Sequence, residues 1–340
     1  MLSRSFAGAF IIVSCLICGI AGGQGRVCFR VVFYNVENLF DTRKDSVKAD
    51  GDFTPRGRLY WTKERYSRKL LHISRALIEA GGAVLPSVIG LAEVENRHVL
   101  AELAGKTGLA DGDYGIVHAD SPDVRGIDVA LLYRKADFKE LRSRFFPVEL
   151  EKGERTRDIL YCEGVLGGSD TLHFFVCHFP SMRGGEARSE WKRIKAASVV
   201  KAKIDSIRLC HPEAKIVVMG DLNGKANTRA QQVLNTENAE KRAIVSSQLY
   251  NTGYYLLGKP CGSYRYRGEW QTLDHLIVSG TLLDGSRGLQ SSVRMKVVAS
   301  DFLLEEEKGS YGKRPKPTYR GQRYIGGYSD HLPVFIDLQK

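Results

Sequence analysis

From residue 27 onward the chain alternates short apolar runs with polar, glycine-containing turns, and most of the runs have the length of strands. They fall at Cys28 to Tyr34, Val88 to Leu91, Tyr114 to His118, Val129 to Tyr133, Ile159 to Val165, Leu172 to Cys177, Ile216 to Met219, Leu273 to Val278, Val293 to Val298 and Val334 to Leu338. Helical periodicity is rarer. It predicts helices over Thr62 to Ala80, with Tyr66, Leu70, Ile73 and Leu77 on one face, over Val99 to Gly105, and over Ala187 to Ile207, with Trp191, Ile194, Ala197 and Ile204 roughly in register. Many strands against few helices do not fit a strictly alternating parallel sheet, so the pattern predicts an α/β protein of two packed β-sheets with helices on their outer faces. No repeat, low-complexity block or Pro/Ser-rich linker interrupts it, and residues 24–340 are expected to form one domain. The segment Asn235 to Trp270, rich in Gly, Tyr and Asn, reads as loops around a site mouth. Lys308 to Arg323, where Lys313, Arg314, Lys316, Arg320 and Arg323 interleave with Tyr311 and Tyr319, reads as an exposed loop with a solvated basic surface.

The N-terminus changes the picture of where the protein works. Arg4 precedes an apolar run from Ala7 to Ile20 that ends in Ala21, Gly22 and Gly23, the pattern of a secretory signal cleaved near Gln24. A membrane anchor needs roughly 18 or more apolar residues, and no second long apolar segment follows. The expected location is periplasmic or extracellular, with residues 1–23 as the signal; lipid attachment at Cys15 is the alternative. Cys15 and Cys18 lie inside this leader, and the remaining five cysteines, Cys28, Cys162, Cys177, Cys210 and Cys261, are scattered without a disulfide framework or zinc pattern. Lys and Arg number 50 against 39 Asp and Glu, a formal charge of +11, which favours an anionic partner.

Residues able to bind metal or move protons follow directly on predicted buried strands. Lys215 to Met219 leads into Gly220, Asp221, Leu222 and Asn223, where Gly220 is expected to allow a tight turn. Val88 to Ala92 leads into Glu93, Leu172 to Cys177 into His178, and Val31 to Tyr34 into Asn35, while Ser329, Asp330, His331, Leu332 and Pro333 introduce the last strand. A carboxylate at one strand end is commonly a turn or cap residue. Five such positions in one chain point to a shared cluster, because a sheet gathers its strand ends over one locus.

In order, these motifs resemble the endonuclease/exonuclease/phosphatase superfamily, which includes DNase I-like nucleases, exonuclease III-like repair nucleases, neutral sphingomyelinases and inositol polyphosphate phosphatases. The matching strings are Tyr34-Asn35-Val36-Glu37-Asn38, Gly90-Leu91-Ala92-Glu93, His178, Gly220-Asp221-Leu222-Asn223, Asp274 and Ser329-Asp330-His331-Leu332-Pro333. The fuller strings around Asn35, Glu93 and Arg125 are similar to the branch of bacterial predicted extracellular nucleases. The resemblance implies a four-layer α/β/β/α sandwich of the DNase I type. It implies Asn35, Glu37, Glu93 and Asp330 at a metal site, and a few hard oxygen ligands suit Mg²⁺, with Mn²⁺ or Ca²⁺ as further candidates. Asp221 would orient and deprotonate water, Asn223 would donate to a phosphate oxygen, and His331, steered by Asp274, would act as a cation or acid at the phosphoryl group. His178 is placed as a candidate acid for the leaving oxygen, and Arg125 as a phosphate contact. Asp128 and Glu95 belong to the branch strings and are read as structural. Two positions depart from the pattern: Gly224 stands where an acidic residue is common, and His275 where Gln is common.

Function is therefore expected to be exported, metal-dependent phosphodiester hydrolysis, with nucleic acid as substrate. A phosphatase or phosphodiesterase for lipid headgroups, sugar phosphates or nucleotides keeps the same chemistry and is the alternative. A catalytically idle anion- or surface-binding protein would show the loss of a metal carboxylate or of a catalytic histidine, and neither is lost.

Overall fold

A computed structural model describes residues 28–340 apart from 239, 241–242, 287, 308, 310 and 311; the expected leader, Cys15, Cys18, Lys308 and Tyr311 lie outside the described residues. The first eight strands are β1 (Cys28–Leu39), β2 (Val88–Val94), β3 (Tyr114–His118), β4 (Asp128–Arg134), β5 (Phe138–Phe146), β6 (Ile159–Leu166), β7 (Asp170–His178) and β8 (Lys215–Asp221). Two seven-stranded sheets form. The first runs Gln290–Ser291, Val334–Gln339, β1, β2, β4, β3, with Lys296–Val297 also on Val334–Gln339. The second runs β5, β6, β7, β8, Asp274–Ser279, Leu249–Asn251, Thr236–Glu237.

The long helices are α1 (Lys63–Gly81), α2 (Arg97–Gly105) and α3 (Glu186–Cys210). Thr62 caps α1 by accepting the Arg65 N–H at 3.4 Å, and Asn96 caps α2 by accepting the Val99 N–H at 3.0 Å, as residues of these types do. Apolar faces build three interfaces. Tyr66, Leu70, Ile73 and Leu77 of α1 pack on Val32, Tyr34, Ile89 and Leu91 of the first sheet. Phe33, Leu131, Phe174 and Met219 fill the space between the sheets, and Ala197, Val200 and Ile204 of α3 cover Phe175, Ile216 and Val218. The result is the four-layer DNase I-like sandwich.

What positions the site is a repeated parallel pair. β1 and β2 run parallel with α1 as crossover, and β7 and β8 run parallel with α3 as crossover. The carboxyl ends of all four strands therefore lie at one edge of the sandwich. Gly220 is not at a turn: it continues β8, and a Cβ there would run into the Cys177 backbone, so the glycine serves a close approach of neighbouring strands. The reversal comes later, at Asn223, whose φ is 47°.

Other expectations need correction. The Val293 to Val298 run pairs only over Lys296–Val297. The basic segment 308–323 is not an open loop: Lys313–Pro315 pairs with Leu304–Glu306 and Tyr319–Arg320 with Arg323–Tyr324. Its cations are partly engaged, Arg314 with Glu305 at 2.9 Å and Lys313 with Asp301 at 2.7 Å. The strand β5 has no apolar run behind it, since after buried Phe138 its residues are exposed or half-buried along an outer strand.

Candidate active site

Parallel register brings His178 level with Asp221 across β7 and β8, and antiparallel register sets Asp274 level with Asp221 on the other side. From the facing sheet, Asn35 donates its amide N–H to Asp221 Oδ2 at 3.1 Å, so the two sheets meet through a hydrogen bond at the floor of the cleft. Glu93 reaches the same place by a different device. The pairing of β2 shifts register between Ala92 and Val94, and Glu93 sits in that bulge at φ 65°, a strained conformation for a non-glycine residue that turns its carboxylate into the cleft. Asn38, at φ 53°, donates its backbone N–H to Glu93 Oε2 at 3.0 Å, leaving Oε1 4.0 Å from His178 Nε2.

The cleft has a volume of about 640 Å³ and is lined by Asn35, Glu93, Arg125, His178, Asp221, Asn223, Asp330 and His331, with Arg183, Lys225, Tyr264 and Tyr266 at its walls. A separate hollow of about 540 Å³ beside Leu256, Arg265 and Trp270 holds none of the catalytic candidates and shares only Lys225 and Gln271 with the cleft. The convergence at strand ends, rather than the depth of either hollow, marks the site.

His331 is held between two carboxylates and a ring. Its Nδ1 lies 2.7 Å from Asp274 Oδ2, its Nε2 lies 3.8 Å from Asp221 Oδ2, and the Tyr264 ring packs over it at 4.8 Å. The Ser329 hydroxyl donates to Asn35 O at 2.7 Å and accepts the His331 N–H at 3.1 Å, fixing this turn to β1. Burial alone would disfavour the imidazolium, but Asp274 and then Asp221 outweigh it and hold the His331 pKa well above the ordinary histidine range. Burial lifts Asp221 to about 7 against the opposing pull of His331, so this carboxylate is poised to take a proton near neutrality. Asp221, Asp274 and His331 also have the spacing of a ligand set. The same three side chains therefore offer donors for a cation as well as groups able to exchange a proton.

His178 lines the same cleft. Burial, then the charges of Arg157, Arg125 and His331, push its pKa well below the ordinary value, so the ring is neutral at pH 7. Its Nε2 lies 3.6 Å from Asp221 Oδ2, and its Nδ1 is buried without a hydrogen-bond partner. Glu37 is turned away from the cleft: Oε2 accepts the Thr318 N–H at 2.6 Å and lies 3.8 Å from buried Lys69 Nζ. Burial and then Asp330 raise Glu37 to about 7. Its placement braces the strand end against the 313–324 hairpins. Asn223 aims its amide at Phe179 O, 3.0 Å away, and its backbone N–H is bound by Asp221 Oδ1 at 2.9 Å.

Arg125 stands on the cleft wall, its side chain 46% exposed and 3.6 Å from Asp123. Arg157, which the sequence reading missed, is buried behind it, bonded to Asp123 at 3.0 Å and to Phe179 O at 2.8 Å. No periodicity or motif marks Arg157, because it lies in an irregular segment just before β6. The two departures in sequence touch each other: His275 lies 2.8 Å from Gly224 O through Nε2 and receives Asn251 Nδ2 at 3.0 Å through Nδ1. Burial lowers the His275 pKa, so the neutral ring braces the loop after Asn223.

Among the described residues, no lysine or arginine forms an ion pair with Glu93 or Asp330, although both face the cleft. Carboxylates left without a protein cation suit a divalent ion with oxygen ligands.

The model of the endonuclease/exonuclease/phosphatase family matches residues 30–340. The chain belongs to this family. Family members are phosphoester hydrolases that depend on divalent metal, and the cleft has the donors for both roles. An endonuclease/exonuclease/phosphatase family protein from Bacteroides thetaiotaomicron superposes with a TM-score of 0.57 at 15% identity, over 92% of this chain and 98% of that one. A Bacteroides thetaiotaomicron mannosyl-6-phosphatase gives 0.54 at 15% identity over 91% and 99%. TDP2 of D. rerio, complexed with single strand DNA product, gives 0.55 at 15% identity over 92% and 99%. At such identities the likeness shows the fold alone. No curated protein sequence matches the chain.

Glu95, two residues beyond Glu93, has a structural task with a measurable signature. Its Oε2 accepts the Asp41 N–H at 2.6 Å, while burial, and further the charges of Asp41, Asp50 and Asp45, raise its carboxyl to about 8. A carboxyl raised in the folded state stabilises fully below its unfolded pKa, and that contribution is lost as pH climbs through the folded value. Glu95→Gln, which keeps the acceptor, should leave the melting temperature unchanged near pH 4.5 and raise it at pH 8.5 by ~2 °C or more, for roughly 1 kcal/mol regained. A difference that does not grow with pH would show that Glu95 is not protonated in the fold.

Proposed function

We propose that this protein is an exported, divalent-metal-dependent phosphodiesterase whose substrate is nucleic acid, with residues 24–340 as one catalytic domain. The observation that carries the chemistry is the meeting of Asn35, Glu93, Asp221 and His331 in one cleft from strand ends of two sheets. Glu93 and Asp330, with Asn35 beside them, would hold the ion; Glu37 braces from behind. When bound, Mg²⁺ or Mn²⁺ would offset negative charge on the phosphate. Asp221 accepts the proton of the attacking water, and the imidazolium of His331, held by Asp274, donates to a phosphoryl oxygen on the other side. His178, as a neutral ring, adds an N–H donor to that oxygen shell, and Asn223 positions the wall opposite.

Support for nucleic acid comes from the surplus of positive charge and from the cations and aromatic rings at the cleft, Arg125, Arg183, Lys225, Tyr264 and Tyr266. Arginines and lysines contact phosphates, and rings offer stacking surfaces for bases. The TDP2 complex holds single strand DNA product in the same fold, and the mannosyl-6-phosphatase neighbour favours a small phosphoester as the second reading. The test is hydrolysis of plasmid DNA, single-stranded DNA, RNA, sphingomyelin, mannose 6-phosphate and bis-p-nitrophenyl phosphate with Mg²⁺, Mn²⁺ or Ca²⁺ and with chelator. Cleavage confined to the small monoester would overturn the nucleic-acid reading. Inactivity on every substrate would overturn the enzyme reading.

For a nucleic-acid substrate, KM should rise steeply between 50 and 200 mM salt, at about tenfold or more, because neutralised phosphates release condensed counterions. Changing Arg125 and Lys225 together to Ala should raise KM on DNA and flatten that slope, while kcat on the small diester changes less than about threefold. A salt-independent KM would reject the proposal for DNA and RNA. The pair chosen lies on the cleft, whereas Arg320, bonded to Glu305, belongs to a hairpin outside it.

A further inference from the structure

A second group of donors lies where β3 ends and β4 begins, at the same edge as the cleft, since Asp128 pairs with Val94 of β2. His118 ends β3 and Asp128 begins β4, and His118 Nε2 faces Asp128 Oδ2 at 3.3 Å. Both side chains are nearly sealed from solvent, at 2% and 1% exposure, yet neither of these two atoms has a hydrogen-bond partner. A buried polar atom without a partner is costly and calls for an explanation. Asp120 brings a carboxylate oxygen within 4.8 Å of both. The other Asp128 oxygen accepts the backbone N–H of Ser121 at 2.9 Å and the Ser121 hydroxyl, so the carboxylate is locked with Oδ2 turned to His118. Asp158, which precedes β6, is close enough that burial and then the charge of Asp128 raise its carboxyl, and its own Oδ1 is buried without a partner. Among the described residues no lysine or arginine pairs with Asp120, Asp128 or Asp158; Lys48 instead donates to Ser121 O at 2.6 Å. The site therefore gathers carboxylates and a buried imidazole nitrogen without a hydrogen-bond partner, open to solvent only on the Asp120 side.

We propose that His118, Asp120 and Asp128 hold a divalent first-row cation, separate from the ion at Glu93. One imidazole nitrogen with carboxylate oxygens suits Zn²⁺ or Mn²⁺ better than Ca²⁺ or Mg²⁺, which prefer oxygen alone. The ion would satisfy His118 Nε2 and Asp128 Oδ2 together and tie the two ends of the 119–127 loop. That loop carries Arg125 to the cleft and is otherwise held by Lys48 and by the Asp123–Arg157 pair. It is a staple for a substrate-contacting loop, and no reaction step passes through it.

The test separates the two ions by removing the first. Chelator-stripped Glu93→Ala protein, dialysed against Zn²⁺ or Mn²⁺ and assayed by elemental analysis, is expected to retain one bound ion per chain. Adding His118→Gln should abolish that ion. Asp120→Asn, at an exposed position and so without consequence for folding, should weaken its affinity at least about tenfold. Thermal melts give a second readout: Zn²⁺ or Mn²⁺ should raise the melting temperature of Glu93→Ala protein and leave that of the His118→Gln and Asp120→Asn derivatives closer to the stripped value. Substitution with Co²⁺ should produce a visible absorption band in Glu93→Ala protein that His118→Gln lacks. Equal ion content and equal melting response in all of these proteins would overturn the proposal. So would an ion-free Glu93→Ala protein.

Discussion

Asp221→Asn is expected to lower kcat by several powers of ten with little change in KM, and His331→Gln to do the same. In the proposed mechanism the two serve one phosphate, and His331 Nε2 lies 3.8 Å from Asp221 Oδ2 at the cleft floor. Groups that work in one transition state are not independent, so the double variant should be far less impaired than the product of the single effects. Stability separates this from simple damage. Asp221→Asn keeps an oxygen for the Asn223 N–H but loses the acceptor of the Asn35 amide and should melt modestly below the parent, while His331→Gln keeps an amide that can donate to Asp274 and should melt close to it. His331→Ala would be a poorer probe: Asp274 is fully buried and its Oδ1 already lacks a partner, so removing the ring strands a buried charge at a cost of about 3 kcal/mol or more. Turnover within a few-fold of the parent in either single variant would remove that residue from the mechanism, and multiplicative losses in the double would break the link between them.

Loss of the Glu93 carboxylate should have an effect of similar rank. Glu93→Gln is expected to reduce phosphodiester hydrolysis on the order of 100-fold or more, the scale of losing a main electrostatic contact in the transition state, and to raise the Mg²⁺ or Mn²⁺ concentration needed for half-maximal rate. Gln is preferable to Ala for kinetics because its carbonyl can still accept the Asn38 N–H that holds the bulge. Chelation of the parent protein should abolish activity, and re-addition of Mg²⁺ or Mn²⁺ should restore it. Full hydrolysis in chelated buffer, or an unchanged metal dependence in Glu93→Gln, would remove the metal from this site.

The boundaries of α1 and α2 were readable almost to the residue because local chemistry sets them: Thr62 and Asn96 cap their helices through their own side chains. Buried strands such as β7 and β8 were readable because continuous apolar runs have no other stable use. β5 was not, since an outer strand with one solvated face has no such run, and the 313–324 hairpins were not, since charge and short length hide pairing from periodicity.

For the site, the sequence by itself determined which side chains border apolar runs: Asn35, Glu93, His178 and Asp221 end or follow one and the Asp330-His331 pair introduces the last, and a residue's place beside a strand is local information. Only the tertiary structure decided which of them meet. Glu37, two residues from Asn35, turns to Thr318 and Lys69 because β1 breaks register there, while Glu93 turns inward because β2 bulges. Protonation was decided there too. His178 and His331 are the same amino acid, both buried, yet Arg157 and Arg125 keep one neutral while Asp274 and Asp221 keep the other charged, because pKa depends on neighbours brought from distant parts of the chain and on the water that folding removes.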